Sequence, residues 1–231
     1  MRLLALDTSS VACSVAIEFD GTVIERHEER PREHTRILLP MIRSALEATG
    51  AAFADLDAIV LGNGPGSFIG MRIAASVAQG LAFAAGLQIV PVSSMAAVAG
   101  EVFATTDAAE VVVAQDAHMQ EVYLGVYRCD AAGLPEERVP ERLSGQEALV
   151  ELQADAAGRR IAAGFGWQHY PELLAANLDH IDAVADILHP RALYLLGPGA
   201  ADLRGARAID PADVAPAYLR QKVAAKPAPV T

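Results

Sequence analysis

Short runs of consecutive apolar residues alternate along the chain with stretches in which apolar residues recur every three or four positions. The first pattern predicts buried strands and the second predicts helices packed on them. Leu3-Leu4-Ala5-Leu6-Asp7 is a strand-like run that ends in an acid. Cys13 to Phe19 predicts a second strand, Asp20-Gly21 a hairpin turn, and Val23 to Glu28 a third strand paired back on it. Ile37, Leu38, Met41, Ile42, Ala45 and Leu46 fall at helical spacing, so a helix is expected from about Thr35 to Thr49 with Gly50 as its C-cap. Pro40 lacks an amide hydrogen and must sit near the first turn of that helix or kink it. A strand over Ala58 to Leu61, the loop Gly62-Asn63-Gly64-Pro65-Gly66-Ser67 and a helix from about Phe68 to Ala85 closed by Gly86 come next. The strand Gln88 to Val92 and a helix from about Met95 to Phe103, capped by Ser93 or Ser94, complete this half.

The second half repeats the order. Val111 to Asp116 is again a strand ending in an acid, and Glu121 to Tyr127 is again a strand. Asp130 to Gly133 is a turn, Val139 to Leu143 a weak third strand and Gly145 to Leu152 a helical stretch. Arg160 to Ala163 is a strand running into Gly164-Phe165-Gly166, the counterpart of the loop at Gly62. The acid-to-glycine spacing is 55 positions in one half and 48 in the other. Two β-β-β-α-β units describe an α/β, duplicated actin-like/sugar kinase/Hsp70 (ASKHA, RNase H-like) fold with a cleft between the halves. A single mixed α/β domain is the alternative. The expected division is residues 1–105 and 106–213, with 214–225 packing back on the first half and 226–231 a flexible tail.

Composition narrows the function. Hydrophobic residues make up 52% of the 231 and charged residues 20%, the profile of a globular protein. The formal net charge of −11 makes a poor stand-alone RNA binder, because phosphate affinity comes mainly from Lys and Arg. Cys13 and Cys129 form no C-x-x-C pair, and a reduced, cytoplasmic protein is expected. No signal peptide is visible. The longest apolar run, Ile73 to Leu87, is interrupted by Ser76, Gln79 and Gly80, so no membrane span is expected.

Several segments resemble the TsaB (YeaZ) family: Asp7-Thr8-Ser9 with Cys13-Ser14-Val15-Ala16, Pro31-Arg32-Glu33-His34-Thr35, Gly64-Pro65-Gly66-Ser67-Phe68-Ile69-Gly70-Met71-Arg72-Ile73, Asp116-Ala117-His118-Met119-Gln120-Glu121-Val122-Tyr123 and Pro216-Ala217-Tyr218-Leu219-Arg220. They run from end to end in order. The family usually carries Thr at Ile69 and Leu or Val at Met71. The resemblance implies a non-catalytic subunit that pairs with TsaD, the metal-holding paralogue that transfers threonylcarbamoyl to adenosine beside the tRNA anticodon. It also implies a small ATPase partner, TsaE, contact with tRNA only through TsaD, and self-pairing through the same surface.

The residues read on their own point the same way. Two metal-binding histidines on one helix face would stand three or four positions apart, and none of the six histidines does. His34 reads as a surface or interface residue. Asp7 is followed by Thr8-Ser9-Ser10 and Asp116 by Ala117-His118, without the glycines that let backbone amides reach phosphates. Asp7, Thr8, Gly64, Gly66, Asp116 and Glu121 are therefore read as a degenerate cleft. The loop at Gly62 lacks the Gly-Lys-Ser/Thr ending of a P-loop and is either a strand-to-helix turn capped by Ser67 or an anion site. Ser67 in G-P-G-S-F is no G-x-S-x-G elbow. By alignment with the family, Gly197-Pro198-Gly199 falls in a helix over roughly Ala192 to Leu203, which Pro198 should break or bend. No catalytic residue, metal or cofactor is expected. A residual ATPase or a metallopeptidase-like enzyme is the alternative.

What remains is a surface. Ile73, Val77 and Leu81 mark one stripe of the second helix, and Gly70, Ala74, Ala78, Ala82 and Ala85 mark another of small residues that lets a foreign helix approach closely. Leu39 and Met41 add bulk on the first helix. The expected partner interface is His34, Leu38, Leu39, Met41, Ile42, Ser67, Phe68, Gly70, Met71, Ala74, Ala78 and Ala82.

Overall fold

A computed structural model describes residues 1–148 and 158–220. Two five-stranded mixed sheets carry the fold. The first is built from β1 (Leu3–Asp7), β2 (Ala12–Phe19), β3 (Thr22–Glu29), β4 (Ala58–Gly62) and β5 (Gln88–Val92), in the order β3-β2-β1-β4-β5. The second uses β6 (Glu110–Asp116), β7 (Glu121–Cys129), β8 (Pro135–Gly145), β9 (Arg160–Ala163) and β10 (Ala183–Val184), in the order β10-β9-β6-β7-β8. The two orders are the same topology: an acid-ended central strand lies antiparallel to one hairpin neighbour and parallel to the strand on its other side. The chain therefore has the duplicated actin-like α/β fold.

Period-2 burial explains the layers of the first sheet. Leu4, Leu6, Val15, Ile17, Ile59 and Leu61 face α1 (His34–Thr49) and α2 (Phe68–Ala85). Leu3, Ala5, Ala16, Val60 and Val90 face the opposite side and pack on α3 (Ser94–Thr105) and α6 (Leu196–Arg204). α3 sits between the sheets: Ala97 packs with the first, whereas Met95, Val98 and Val102 pack with Val111, Val113 and Tyr127 of the second. Glu141 of β8 receives hydrogen bonds from both Ser93, the N-cap of α3, and Tyr127. Burial pushes this carboxyl upward, opposed by the two hydroxyl donors. A second tie is Arg191, which pairs with Glu25 of β3 and, at 3.2 Å, with Glu101 of α3.

Four local expectations need correction. α1 runs through Pro40, its seventh residue, because Pro40 lies on the solvent side, where a lost backbone hydrogen bond leaves its carbonyl near water. β8 is eleven residues long rather than a weak run over Val139 to Leu143, and it includes Gly145. Of the helix expected over Gly145 to Leu152, Gln146 and Glu147 form a turn, and residues 149–152 lie outside the described residues, as does the expected tail 226–231. Pro198 breaks nothing: a 3-10 turn over Ala192–Leu195 leads into α6, and Pro198 falls in the first turn, where its missing amide has no intrahelical partner to lose.

Two short helices follow β9, α4 (Phe165–His169) and α5 (Pro171–Asn177). The segment 214–220 crosses from the first sheet to the second. Asn63 Nδ2 donates to the Ala215 carbonyl at 3.1 Å, Arg72 Nε donates to the Tyr218 hydroxyl at 2.7 Å, and Arg220 pairs with Glu121 at 2.5 Å. α2 has the length and hydropathy of a membrane span, but Gly70, Met71, Ala74, Ala75, Ala78 and Ala82 are buried on its own sheet.

Candidate functional site

The carboxyl ends of β1 and β6 face each other across a cleft, and their two acids have different fates. Asp7 is buried. Its Oδ1 accepts from the Ser9 amide and the Ser9 hydroxyl, both at 2.8 Å, and its Oδ2 accepts from Ser94 Oγ at 2.5 Å. Ser94 Oγ in turn accepts from the Gly64 amide at 3.0 Å, so Asp7 anchors the glycine loop through one hydroxyl. Burial pushes the Asp7 carboxyl upward, and the Ser94 and Ser9 donors oppose that shift.

The glycine loop is a close-packing device. Thr8 Oγ1 donates to the Gly70 carbonyl at 2.7 Å, the Ser67 amide donates to the Ser9 carbonyl at 2.6 Å, and Ser67 Oγ caps α2 by accepting from the Gly70 amide at 3.2 Å. A Cβ at Gly66 would stand 2.2 Å from the Ser9 carbonyl oxygen, and one at Gly70 would stand 1.9 Å from that of Thr8. Only glycine lets the α2 N-terminus lie this near the β1–β2 turn. The amides of Ser67 and Gly70 are spent on the protein's own acceptors. That favours the strand-to-helix turn over the anion site left open by the sequence.

Asp116 ends β6 at a different kind of turn. Its Oδ1 accepts from the His118 amide at 2.7 Å and from the Tyr170 hydroxyl at 2.8 Å, and its Oδ2 lies 2.9 Å from His118 Nδ1. The Tyr170 hydroxyl is pushed up to about 12 by burial and by the adjacent carboxylate. His118, Met119 and Gln120 all adopt left-handed φ, at 59°, 57° and 62°. Three consecutive non-glycine residues there are strained, and such strain persists only where the surroundings enforce it. Here the Glu121 amide donates to the His118 carbonyl at 3.1 Å, and Arg220 Nη2 donates to the Ala117 carbonyl at 2.9 Å. Met119 at the tip is 70% exposed.

Between these turns lies a cleft of about 840 Å³. Of the residues assigned to it from sequence, Gly66 and Asp116 line it. Asp7, Thr8 and Gly64 are buried, and Glu121 is engaged with Arg220. Arg32, Met119, Tyr123, Tyr218 and Arg220 also line it. Each stands in one of the quoted family segments, so the signal was present but unplaced. Phe165, from the second glycine loop, lines it as well, and so does His189, which carried no signal.

The expected interface is largely inverted. Leu38, Met41, Ile42, Gly70, Met71, Ala74, Ala78 and Ala82 are buried in their own chain. The small residues let α2 approach its own sheet, whose Leu and Ile side chains supply the bulk. His34 is buried too, with Nε2 3.2 Å from the Ala12 carbonyl oxygen. Ser67 is half-buried as a helix cap, while Leu39 and Phe68 are exposed. The uncovered face of α2 is Ile69, Ser76, Gly80 and Phe83, flanked by the half-buried Ile73 and Val77. Ile69 is 70% and Phe83 85% exposed.

Among the described residues no three His, Cys, Asp or Glu side chains are grouped to hold a metal ion. No hydrogen bond joins Ser67 to a histidine among those residues.

Known proteins fit this geometry. The family model for TsaD, tRNA N6-adenosine threonylcarbamoyltransferase, matches residues 28–227. The tRNA threonylcarbamoyladenosine biosynthesis protein TsaB of Escherichia coli is 35% identical, with 99% of each chain covered. The protein of that name in Haemophilus influenzae is 38% identical, covering 99% of this chain and 98% of its own. The solved structure of YeaZ from Pseudomonas aeruginosa superposes with a TM-score of 0.87 at 36% identity, covering 94% of this chain and 99% of that one. A crystal structure described as similar to peptidase YeaZ, also from Pseudomonas aeruginosa, gives 0.88 at 36% identity over 95% and 99%. With its paired acid-ended strands, its glycine-packed helix and full-length relatives at this identity, the chain belongs to the TsaB (YeaZ) family, whose fold the TsaD family model also describes.

Proposed function

We propose that this protein serves tRNA threonylcarbamoyladenosine biosynthesis as a non-catalytic subunit that binds and activates TsaD. The observation that carries the reading is the outer face of α1 and α2. Leu39, Ile69 and Phe83 are exposed on neighbouring helices, and Ser76 and Gly80 leave a shallow centre between them. Large exposed apolar side chains on adjacent helices are suited to ridges-into-grooves packing with a second helix pair. An interface of standard size would cover about 800 Å² per partner. Self-pairing would use the same face. TsaE would join the resulting pair, and tRNA would be reached through TsaD, in keeping with the net charge of −11. The spent amides around Asp7 support the non-catalytic assignment. The face lies within the first expected unit, 1–105; of the second expected unit, 106–213, α6 packs on the first sheet.

Ser76→Arg tests the reading. Ser76 is exposed at the centre of the face, so the variant should fold and yet lose co-purification with TsaD of the same organism and lower the modified adenosine in cellular tRNA. A folded Ser76→Arg protein that still co-purifies with TsaD, or normal tRNA modification in cells lacking this chain, would overturn it.

A further inference from the structure

We propose that residues 214–220 are a latch that couples the first turn of α2 to the strained tip at His118, Met119 and Gln120, so that the tip keeps its left-handed path only while Tyr218 and Arg220 are both seated. The segment joins the two halves side chain by side chain. Val214 belongs to the core that α1 and α2 cover, and the Ala215 carbonyl and Ala217 amide bond to Asn63. Tyr218 meets α2: its hydroxyl accepts from Arg72 Nε at 2.7 Å, and its ring centroid stands 5.2 Å from that of Phe68. Arg72 in turn lies over the Phe68 ring at 3.8 Å. The next residue, Leu219, packs with the core of the second sheet, and Arg220 reaches the tip.

Arg220 is the tip's outside support. Its Nη1 pairs with Glu121 at 2.5 Å and lies 3.7 Å from Met119 Sδ, and its Nη2 donates to the Ala117 and His118 carbonyls at 2.9 and 3.3 Å. The tip's other bonds are to Asp116, Glu121 and Gln146, in its own sheet or the turn that follows it. Among the described residues, the bonds that reach 117–120 from outside 116–146 are those of Arg220. Consecutive non-glycine residues at positive φ relax when the contacts that enforce them are lost. Tyr218 and Arg220 stand two residues apart, and two residues reach at most about 7 Å. A displaced Tyr218 therefore draws the guanidinium off the carbonyls, although no hydrogen bond joins Tyr218 to the tip among the described residues. Whatever presses on Phe68 and Arg72 acts on Met119 along this path.

The test is amide hydrogen exchange with two-dimensional NMR on the whole chain. Tyr218→Ala should speed exchange at the Glu121 amide, which donates to the His118 carbonyl, by about tenfold or more and shift Met119 and Gln120, while amides of β1 and β6 keep their rates. Arg220→Ala should do the same and also move the Arg72 Nε signal, because coupling acts in both directions. The double variant should exceed neither single variant by more than about twofold, since both release one latch. Phe83→Ser, on the same helix, should change neither signal. Tyr218→Phe, which loses only the Arg72 hydrogen bond, should give a smaller change of the same kind and decides the matter should Tyr218→Ala fail to fold. A tip unchanged in both Tyr218 variants, an Arg72 signal unmoved by Arg220→Ala, or faster exchange spread evenly over both sheets would each overturn the latch. No readout involves TsaD, so the outcome is separate from the subunit reading.

Discussion

The two acid-ended strands make a controlled comparison within one molecule. Both halves use the same strand order, and in both a glycine loop presses on the neighbouring backbone: a Cβ at Gly66 would meet the Ser9 carbonyl oxygen at 2.2 Å, and one at Gly164 would meet that of Ala114 at 2.2 Å. The first acid has nevertheless become core, sealed by Ser9 and Ser94, whereas the second stays at the cleft wall and braces a strained, exposed hairpin tip. Duplicated topology thus constrains where the loops meet the sheets but not what each acid does. That is decided by the side chains that arrive from other elements, Ser94 for one and Tyr170 with Arg220 for the other.

The largest expected effect breaks the first half at its packing face. Ala78→Arg should cost about 3–5 kcal/mol by placing an unpaired charge in the core, read as a fall in the denaturant midpoint or as loss of soluble protein; full stability would refute the inward orientation of α2. Gly70→Ala should cost about 1–3 kcal/mol by overpacking against the Thr8 backbone. Gly80→Ala, where an added methyl meets open space, should raise stability by up to about 1 kcal/mol through helix propensity. Urea unfolding of the pair separates a packing glycine from a merely helical one. Asp7→Ala leaves the Ser9 and Ser94 donors buried without their acceptor and should cost about 1–3 kcal/mol. Asp116→Ala, at the more open turn, should cost no more than about 1 kcal/mol; reversed costs would overturn the contrast between the two acids.

The smallest effect is a slope with pH. Burial is the leading cause that lowers the pKa of His27 and of His189, so each ring resists protonation more in the folded protein than in the unfolded chain. In the unfolded chain each titrates near about 6.5. The stability they contribute is fully present above that pH. It is lost as pH falls from there through their lower folded values, because the unfolded chain then binds protons that the folded chain refuses. The double variant His27→Gln, His189→Gln should flatten unfolding free energy as pH falls below about 6.5. An unchanged slope would count against burial as the cause.

Much of the fold was legible in order. The 3.6-residue spacing on α1 and α2, the caps at Ser67, Gly50 and Gly86, and the repeated acid-ended strands all stand close to where the pattern put them. The site was less legible. The Asp116–Tyr123 segment was visible as a motif, but nothing in Ala-His-Met-Gln signals three left-handed residues, because no glycine marks them. Phe165 and His189 reach the cleft from segments far apart in sequence.

By itself the sequence determined the duplication, the positions of α1, α2 and α3 and the lack of phosphate-loop glycines, since each is a local matter of periodicity, turn chemistry or residue size. Tertiary structure alone decided which stripe of α2 faces inward. Small and large apolar residues both satisfy a helical period, and only the depth of the sheet beneath, already filled by its own Leu and Ile side chains, selects the alanines for the core and leaves Ile69 and Phe83 outside.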